Sequence, residues 1–301
     1  MRWRKLGRLF APDGRWAWMQ SHAAVPFAEH AGGDLFTVYF SARDAAQRSH
    51  TGRLTLELGS MPRVLDVDPQ PVLSPGALGC FDDSGAMLSW IVKAGQQRRF
   101  YYIGWNRGVT VPFRNSVGLA IAQDDKPPVR YAEGPILDRS ASEPHFVASV
   151  CVLPDGERWR LWYLSCVGWD IINGAPRHRY HIKYAESADG IVFDRRGVVA
   201  LDFAGPSEYA ISRPSVLRGS DRWRMWYSYR GTSYRIGYAE SDDGRAWRRQ
   251  DGLAGIDVSA DGWDSEMIEY PFVFLHRGQH FMLYNGNDYG RTGFGLAVLD
   301  T

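Results

Sequence analysis

Hydrophobic and polar positions along the chain follow the two-residue alternation of β-strands, and the same arrangement returns along the sequence. Residues 182–190 and 236–244 share the pattern Ile-x-Tyr-Ala-Glu-Ser-x-Asp-Gly, and an aromatic Trp-x-x-Trp-Tyr segment precedes each of them, at 159–163 and 223–227. Each aromatic segment follows an apolar run that ends in a turn. Such a unit predicts antiparallel strands joined by tight turns, with Asp-Gly marking hairpins.

Weaker copies of the same unit extend over the rest of the chain, so that the copies begin near residues 26, 89, 149, 214 and 271. Units of roughly 60 residues made of strand and turn are typical of propeller blades with about four strands. We therefore predict an all-β fold, a five-bladed β-propeller that forms one domain over residues 1–301. The last copy stops after its third strand, so Trp3–Phe10 is predicted to join the last blade and close the ring.

Composition narrows the range of partners. The chain has 301 residues, of which 45% are hydrophobic and 23% charged, and its net charge of +1 gives no electrostatic reason to expect nucleic acid or an anionic membrane surface. It lacks the apolar run of about 18 residues that a membrane span needs. No apolar signal segment is visible near the N-terminus, so we expect a cytoplasmic protein.

No cofactor is predicted from the sequence. Cys80, Cys151 and Cys166 lack the spacing of a metal or redox motif, and no histidine-rich or phosphate-binding motif is present. We therefore predict no metal ligands in the site, although a calcium ion on the propeller axis stays open as an alternative.

The architecture resembles the superfamily of arabinanases, invertases and β-mannoside phosphorylases, which shares apolar first strands and Trp-Tyr second strands. Within that superfamily, five segments are similar to a branch associated with bacterial surface-polysaccharide gene sets: 21–26, 81–85, 262–267, 284–287 and 293–295. The resemblance implies a role in polysaccharide biosynthesis, with a sugar, sugar nucleotide or glycan as substrate.

The resemblance also implies where catalytic acids should lie, and those positions are apolar in this chain. In arabinanase-like members an aspartate directly precedes the proline of the first strand, where this chain has Val25. Leu88 occupies the corresponding position in the second blade, and Val147 stands where those enzymes carry their acid glutamate. Apolar side chains cannot transfer protons, so the usual catalytic aspartate is missing.

Acidic residues recur instead in the loops that lead into the first strand of each blade. Cleavage of a sugar bond uses two carboxyl groups, one to protonate the leaving oxygen and one to activate water or attack the anomeric carbon. Residues from all blades converge on the axial funnel of a propeller, which is the natural binding site. We predict that the acid and the base or nucleophile belong to the set Asp83, Glu143, Glu208 and Glu269.

Further polar and aromatic residues near the same loops are predicted to bind substrate. Arg213 could clamp a phosphate or carboxylate, or pair with Glu208 or Glu269. Trp263 and Tyr270 could stack on a sugar. The predicted substrate-binding residues are His22, Asp82, His145, Arg213, Trp263, Asp264, Glu266, Tyr270 and Asn285.

The sequence thus favours a carbohydrate-active enzyme, a glycoside hydrolase or glycosyltransferase, acting on a glycosidic or sugar-phosphate bond. A non-catalytic sugar-binding propeller is one alternative, favoured by the apolar residues at the usual acid positions. An interaction scaffold is another, and it would have the acids of the funnel paired with arginines and closed to solvent.

Overall fold

The computed structural model describes residues 1–124 and 126–300, and nearly all its regular structure is β-strand. Apart from the strands it contains a 3₁₀ turn at Asp251–Leu253 and a helical turn, α1, at Asn287–Gly290. The strands are β1 (Trp3–Phe10), β2 (Ser21–Gly32), β3 (Leu35–Arg43), β4 (Ser49–Glu57), β5 (Arg63–Val67), β6 (Gly85–Ala94), β7 (Gln97–Arg107), β8 (Phe113–Gln123), β9 (Val129–Arg130), β10 (Val147–Asp155), β11 (Arg158–Ile172), β12 (Ala175–Ser187), β13 (Asp194–Leu201), β14 (Ala210–Arg218), β15 (Trp223–Arg230), β16 (Tyr234–Ser241), β17 (Arg248–Arg249), β18 (Glu269–His276), β19 (Gln279–Asn285) and β20 (Phe294–Leu299). The predicted all-β class is confirmed.

The antiparallel pairings divide the strands into groups of four. Groups 1 to 4 pair in chain order and consist of β2–β5, β6–β9, β10–β13 and β14–β17. Group 5 joins the two ends of the chain, because β18, β19 and β20 pair in order and β1 then pairs with β20. The strand predicted at Trp3–Phe10 therefore has the bounds and the neighbour that the sequence indicated.

The groups are joined by few backbone hydrogen bonds. A single parallel pairing links groups 1 and 2, between Ser49 and Gly85, and another links groups 3 and 4, between Tyr180 and Ala210. Within the described part of the chain the strands thus form three sheets rather than one closed sheet. Side-chain packing between the groups supplies the remaining contact, through buried aromatic residues of the second strands such as Trp162 and Tyr227.

Glycines in the third strands leave room for these aromatic rings. A Cβ atom added at Gly118 would collide with the ring of Tyr102, and one added at Gly237 would collide with the ring of Tyr227. Such overlaps are not tolerated in a close-packed interior. The Val-Gly-Leu and Ile-Gly-Tyr segments of the repeat therefore fix how closely the second and third strands approach.

The first strand of each group carries a β-bulge. In four groups the bulge holds a non-glycine residue with positive φ: Val25 (49°), Ser149 (42°), Arg213 (53°) and Tyr270 (54°). Register shifts occur at the same points and in β6 between Leu88 and Trp90. Bulges re-aim side chains, and strained backbone of this kind concentrates at functional sites.

The cysteines form no disulfide, and Cys151 and Cys166 are buried. Among the described residues there is no group of three or more histidine, cysteine or acidic side chains that could hold a metal ion. No helix in the described ranges is long and apolar enough to cross a membrane.

Candidate functional site

A cavity of about 530 Å³ opens where the first strands of all the groups meet. The first strands contribute Val25, Met87, Ser149, Ser212 and Tyr270 to its wall. The other lining residues are Arg43, Gln47, Ser49, Ile103, Trp105, Arg107, Gly108, Pro112, Phe113, Asn115, Phe146, Ala148, Leu164 and Tyr180. Large apolar surfaces beside a few polar groups are the usual composition of a small-molecule site. We call this space the central cavity.

Two polar atoms in this wall have no protein partner. The hydroxyl of Ser212 and the indole N–H of Trp105 are buried without a hydrogen bond to any described residue. Most buried polar groups in proteins are satisfied, and an exception costs free energy unless a ligand or water completes it. The cavity therefore has the composition of a binding site with polar atoms available to a ligand.

The register of the strands defines one ring of equivalent positions just before each bulge. Pairing with the second strands aligns Ala24, Met87, Ala148, Ser212 and Glu269. The residues of groups 2, 3 and 4 in this ring line the central cavity. Group 5 is the one that places an ionisable side chain at the ring, so the chain positions a carboxyl group directly before Tyr270, which lines the cavity.

Glu269 is fully buried, and neither of its carboxyl oxygens has a well-formed hydrogen bond to another described residue. Burial raises the pKa of Glu269 well above its usual value, and nearby Asp288 adds to the effect. The Arg230 guanidinium and the backbone N–H of Tyr289 oppose it without cancelling it. The shift favours the protonated form of the carboxyl group, which is the form that a proton donor requires.

Tyrosines surround this acid and connect it with the cavity. Burial raises the pKa of Tyr180, Tyr234 and Tyr270, and the nearby Glu269 carboxyl group adds to the shift of each. Tyr180 and Tyr270 line the cavity, and the hydroxyls of Tyr180 and Tyr234 are hydrogen-bonded to each other. Arg230 lies over the ring of Tyr234 at 5.3 Å. The acid thus belongs to a buried aromatic cluster at the cavity wall.

Four of the predicted acids are instead held in ion pairs inside groups 2 to 5. Each lies just before the first strand of its group and contacts a cation on the fourth strand of the same group. The pairs are Asp82–Arg130 (2.8 Å), Glu143–Arg195 (3.1 Å), Glu208–Arg249 (2.8 Å) and Asp264–Lys5 (2.7 Å). We call these pairs the acid–cation clamps. They fasten the loop before the first strand to the other edge of its group.

The clamp at Glu143 shows how fully such an acid is engaged. Its carboxylate accepts hydrogen bonds from Ser165 (2.6 Å) and Tyr163 (3.1 Å). It also lies 3.3 Å from the ammonium of Lys183, which occupies the position where the other four groups have a third-strand glycine. The Glu143 carboxyl group is thus fully engaged by donors of its own group, and none of the clamp acids lines the central cavity.

We expect Arg249→Met to lower the free energy of unfolding by about 3 kcal/mol, because it leaves buried carboxylates without a cation. Arg249 donates hydrogen bonds to Glu208 (2.8 Å) and to Asp251 (2.6 Å). Arg248→Met is the matched control, since the ion pair of Arg248 with Asp242 is exposed and contributes about 1 kcal/mol or less. Urea unfolding of both variants makes the comparison. Equal losses in the two variants would show that the Glu208 clamp has no structural role.

Three further predicted polar residues lie away from the cavity wall. Asp83 accepts hydrogen bonds from Asn106 (2.9 Å) and from the N–H of Gly79 (3.1 Å). Burial opposes ionisation, but these hydrogen bonds outweigh it and lower the pKa of Asp83. Glu266 is exposed, and the side chain of half-buried His145 has no hydrogen bond within the described ranges. Asp83 therefore has the contacts of a turn cap.

Two other predicted residues make structural contacts in group 5. The Asn285 side chain accepts a hydrogen bond from the Val25 N–H (2.8 Å) and donates one to the Ala23 carbonyl (2.7 Å). It is fully buried and joins β19 to β2, which connects the last group with the first. Trp263 is half-buried, and its ring packs 5.3 Å from that of Tyr284.

Arg213 lies beneath the cavity, fully buried, and has no carboxylate partner among the described residues. Its guanidinium donates to the carbonyls of Ser89 and Pro26, which belong to the first strands of groups 2 and 1. Arg213 thus connects three first strands at the bulges. Of the predicted site residues, Tyr270 lines the cavity and Glu269 occupies the ring beside it.

The sequence analysis missed Arg43, Trp105, Tyr180 and the serines of the cavity wall. Arg43 and Trp105 come from the ends of second strands, and no repeat or motif distinguishes them. Ser212 could have been found, because it lies two residues before the start of the fourth copy, as Glu269 does in the fifth. Comparing that position across every copy would have identified most of the ring.

No family model matches the chain. Two uncharacterized proteins of Mycobacterium tuberculosis do, MT1551 of strain CDC 1551 / Oshkosh and Rv1502 of strain ATCC 25618 / H37Rv. Each is 46% identical over 300 residues, which cover 100% of this chain and 100% of the relative.

Solved structures of glycoside hydrolases share the fold. A glycoside hydrolase aligns with a TM-score of 0.76 at 17% identity, over 99% of this chain and 91% of that protein. A thermostable family-43 glycoside hydrolase aligns at 0.66 and 14% identity, over 92% and 88%. The Bombyx mori GH32 β-fructofuranosidase BmSUC1 aligns at 0.64 and 12% identity, over 96% of this chain and 62% of that protein. These likenesses show that the chain shares the fold of these glycoside hydrolases, which is the fold that the resemblance in the sequence predicted.

Proposed function

Because the chain belongs to the family of the two uncharacterized Mycobacterium tuberculosis proteins and has a glycosidase-like fold, we propose that it is a carbohydrate-active enzyme. The central cavity binds a sugar, sugar nucleotide or glycan, and Glu269 supplies the proton to the leaving oxygen of a glycosidic or sugar-phosphate bond. The observation that carries the proposal is the buried, unpartnered carboxyl group of Glu269 at a cavity whose wall also holds unpartnered polar atoms.

We also propose that the strand groups are the blades of a closed five-bladed propeller. The first strands of all groups supply residues to one cavity, as they do around a propeller axis. Asn285 joins the last group to the first by hydrogen bonds to Val25 and Ala23. The central cavity is then the axial funnel, and Glu269 lies at the inner end of the fifth blade.

The chemistry follows from the protonation state of Glu269. A protonated carboxylic acid beside the scissile bond can neutralise the negative charge that develops on the leaving oxygen. Since the carboxyl group is closed to solvent, the following side chain, Tyr270, has to move aside for direct contact with substrate. Trp105 and Phe113 offer aromatic faces to the sugar, and Ser149, Ser212 and the amides nearby bond its hydroxyls.

The test compares Glu269→Gln with the wild type on two substrates that share a sugar but differ in leaving group. Glutamine keeps the shape and removes the acidic proton, so we expect turnover of an alkyl glycoside to fall about 100-fold or more. The nitrophenolate of a nitrophenyl glycoside leaves as a stable anion without a proton, so turnover of that substrate should fall much less. Glu133→Gln, in an exposed loop, is the control and should match the wild type on both.

Equal losses on the two substrates would show that Glu269 does not donate the proton. Glycosides are screened together with sugar nucleotides, and product formation is followed by mass spectrometry. The sugar-phosphate bond is tested in the same screen, because a sugar nucleotide releases a nucleoside diphosphate on cleavage.

A non-catalytic sugar-binding protein is the second candidate. It is favoured by the cavity wall, in which the described residues include no carboxylate and Val25 occupies the usual aspartate position. It predicts that sugars raise the melting temperature without giving product after long incubation. The clamps satisfy what the scaffold alternative requires of Asp82, Glu143 and Glu208, but that alternative does not explain an open cavity with unpartnered polar atoms.

A further inference from the structure

We propose that the central cavity recognises an oxyanion, a phosphate or carboxylate group carried by the sugar, and that Arg43 binds it with help from Arg107. This inference rests on the proposed function, because it names the class of sugar that the same cavity accepts. It concerns binding rather than proton transfer, so its test is separate from that of Glu269.

The charge of the cavity wall is the first observation. Arg43 and Arg107 both line the cavity, and within residues 1–124 and 126–300 no aspartate or glutamate does. The ring acid, Glu269, does not itself line the cavity, and burial raises its pKa, which favours the uncharged form. The cavity is therefore positive although the whole chain has a net charge of only +1. A positive cavity attracts anionic ligands and disfavours cationic ones.

The guanidinium of Arg43 is half-buried and has no partner among the described residues. It makes no hydrogen bond or ion pair with any described residue, whereas Arg98, Arg130 and Arg195 each contact an acid. Burial lowers the pKa of Arg43 from its usual value, and the nearby Tyr270 hydroxyl opposes this shift without cancelling it. A ligand oxyanion would supply that partner, since arginine binds phosphate and carboxylate groups through paired N–H donors.

Arg107 lies at the exposed side of the cavity. It donates one hydrogen bond to the backbone carbonyl of Ala46, which orients its side chain while leaving other N–H donors free for a ligand. Gln47 lies next to that contact and also lines the cavity. The cavity wall thus has one half-buried guanidinium, that of Arg43, and one exposed guanidinium, that of Arg107.

A histidine of the first group lies near Arg43. His22 lies close enough for Arg43 and Arg291 to affect it, and burial together with these two cations lowers the pKa of His22 to about 4. The imidazole is therefore neutral near pH 7. Its Nδ1 lies 2.9 Å from the Ser21 hydroxyl, and His22 is not among the residues that line the cavity, so its role in orienting substrate stays a prediction.

The experiment measures binding by calorimetry with glucose, glucuronate, glucose 1-phosphate, acetate and inorganic phosphate as probes. We expect one of the anionic sugars to bind at least about 10-fold more tightly than glucose, because a hydrogen-bonded charge adds to the binding free energy. Comparing glucuronate with glucose 1-phosphate distinguishes carboxylate from phosphate. High salt should weaken the binding of the anionic sugar and leave the affinity for glucose unchanged.

Arg43→Gln should lower the affinity for the preferred anionic probe about 30-fold. A loss of this size is typical of removing one partner of a desolvated charge pair. Arg114→Gln is the matched control. Arg114 is an exposed arginine on β8 between Phe113 and Asn115, and it does not line the cavity, so its removal lowers the net charge equally. We expect the affinity of Arg114→Gln for the anionic probe to stay within about 2-fold of the wild-type affinity.

The outcomes separate this inference from the proposed function. Equal affinities of Arg43→Gln and Arg114→Gln for every anionic probe, or no binding of any anion, would overturn the inference. If glucose still bound and Glu269→Gln still lost turnover, the proposed function would stand. If inorganic phosphate bound through Arg43 as tightly as the sugar phosphate, the anion site would be supported and the sugar function would fail.

Discussion

Glu269→Gln should make the protein more stable than the wild type, by an amount that grows as the pH rises. Burial raises the folded-state pKa of Glu269, so above the unfolded-state pKa the folded protein holds a proton that the unfolded chain has released. The stability contributed by this group is complete below the unfolded-state pKa and is lost as the pH rises toward the folded-state pKa. Glutamine has no proton to lose, so the variant escapes this loss.

The expected difference increases by up to about 1.4 kcal/mol for each pH unit until the folded-state pKa is reached. Melting temperatures of wild type and variant at about pH 5 and at about pH 8 test it. Glu133→Gln is the control, and its difference from the wild type should be small and constant. A Glu269→Gln difference that does not change with pH would mean that the wild-type carboxyl group is ionised when folded.

This stability test and the activity test of the same variant support each other. An acid that is held protonated at neutral pH costs stability, and proteins retain such a cost where function needs it. A variant that is more stable at pH 8 and less active on poor leaving groups would show both sides of that relation. Changing a structural glutamate, such as Glu143 in its clamp, to glutamine would instead make the folded protein less stable.

Much of the fold could be predicted because the repeat carries local information. The Asp-Gly turns and the alternating apolar positions mark the strands, and the last copy visibly lacks a fourth strand. The pairing of β1 with β20 follows from that gap, although it joins residues at the two ends of the chain. These features depend on periodicity and turn chemistry, which a sequence shows directly.

The role of the acids could not be predicted in the same way. The sequence shows acids at equivalent positions before the first strands, and this recurrence suggested a shared site. Their cations lie on the fourth strands, and for Asp264 the partner is Lys5 near the other end of the chain. Which cation meets which acid depends on three-dimensional packing, so a structural repeat and a catalytic repeat look alike in the sequence.

The β-bulges are a second reason why the site could not be predicted from the sequence. Each bulge shifts the strand register by one residue, and no sequence signature marks it. The sequence alignment started the third copy at Ser149, whereas the structure aligns Ser149 with Val25, one residue before the start. A shift of one residue moves a side chain to the other face of a strand. Four members of the ring lie two residues before the start of their copies, and only the structure shows that Ala148 is the fifth.

Arg213→Ala should lower the free energy of unfolding by about 4 kcal/mol. The side chain is fully buried, so truncation leaves a cavity, and the carbonyls of Ser89 and Pro26 lose their donor. Burial lowers the pKa of Arg213 to about 10, so the group remains a cation at neutral pH and its hydrogen bonds are charge-assisted. These contacts connect the first strands of groups 1, 2 and 4, and we expect the loss to affect the whole fold.

Urea unfolding of Arg213→Ala, Arg213→Lys and Arg218→Ala provides the measurement. Lysine fills part of the space and keeps one donor group, so its loss should be intermediate, while Arg218 has an exposed side chain and should change stability by about 1 kcal/mol or less. The sequence had assigned Arg213 to substrate binding instead. That role would be correct if Arg213→Ala unfolded like Arg218→Ala and lost its affinity for the sugar, because a residue that only connects strands cannot weaken binding while leaving stability unchanged.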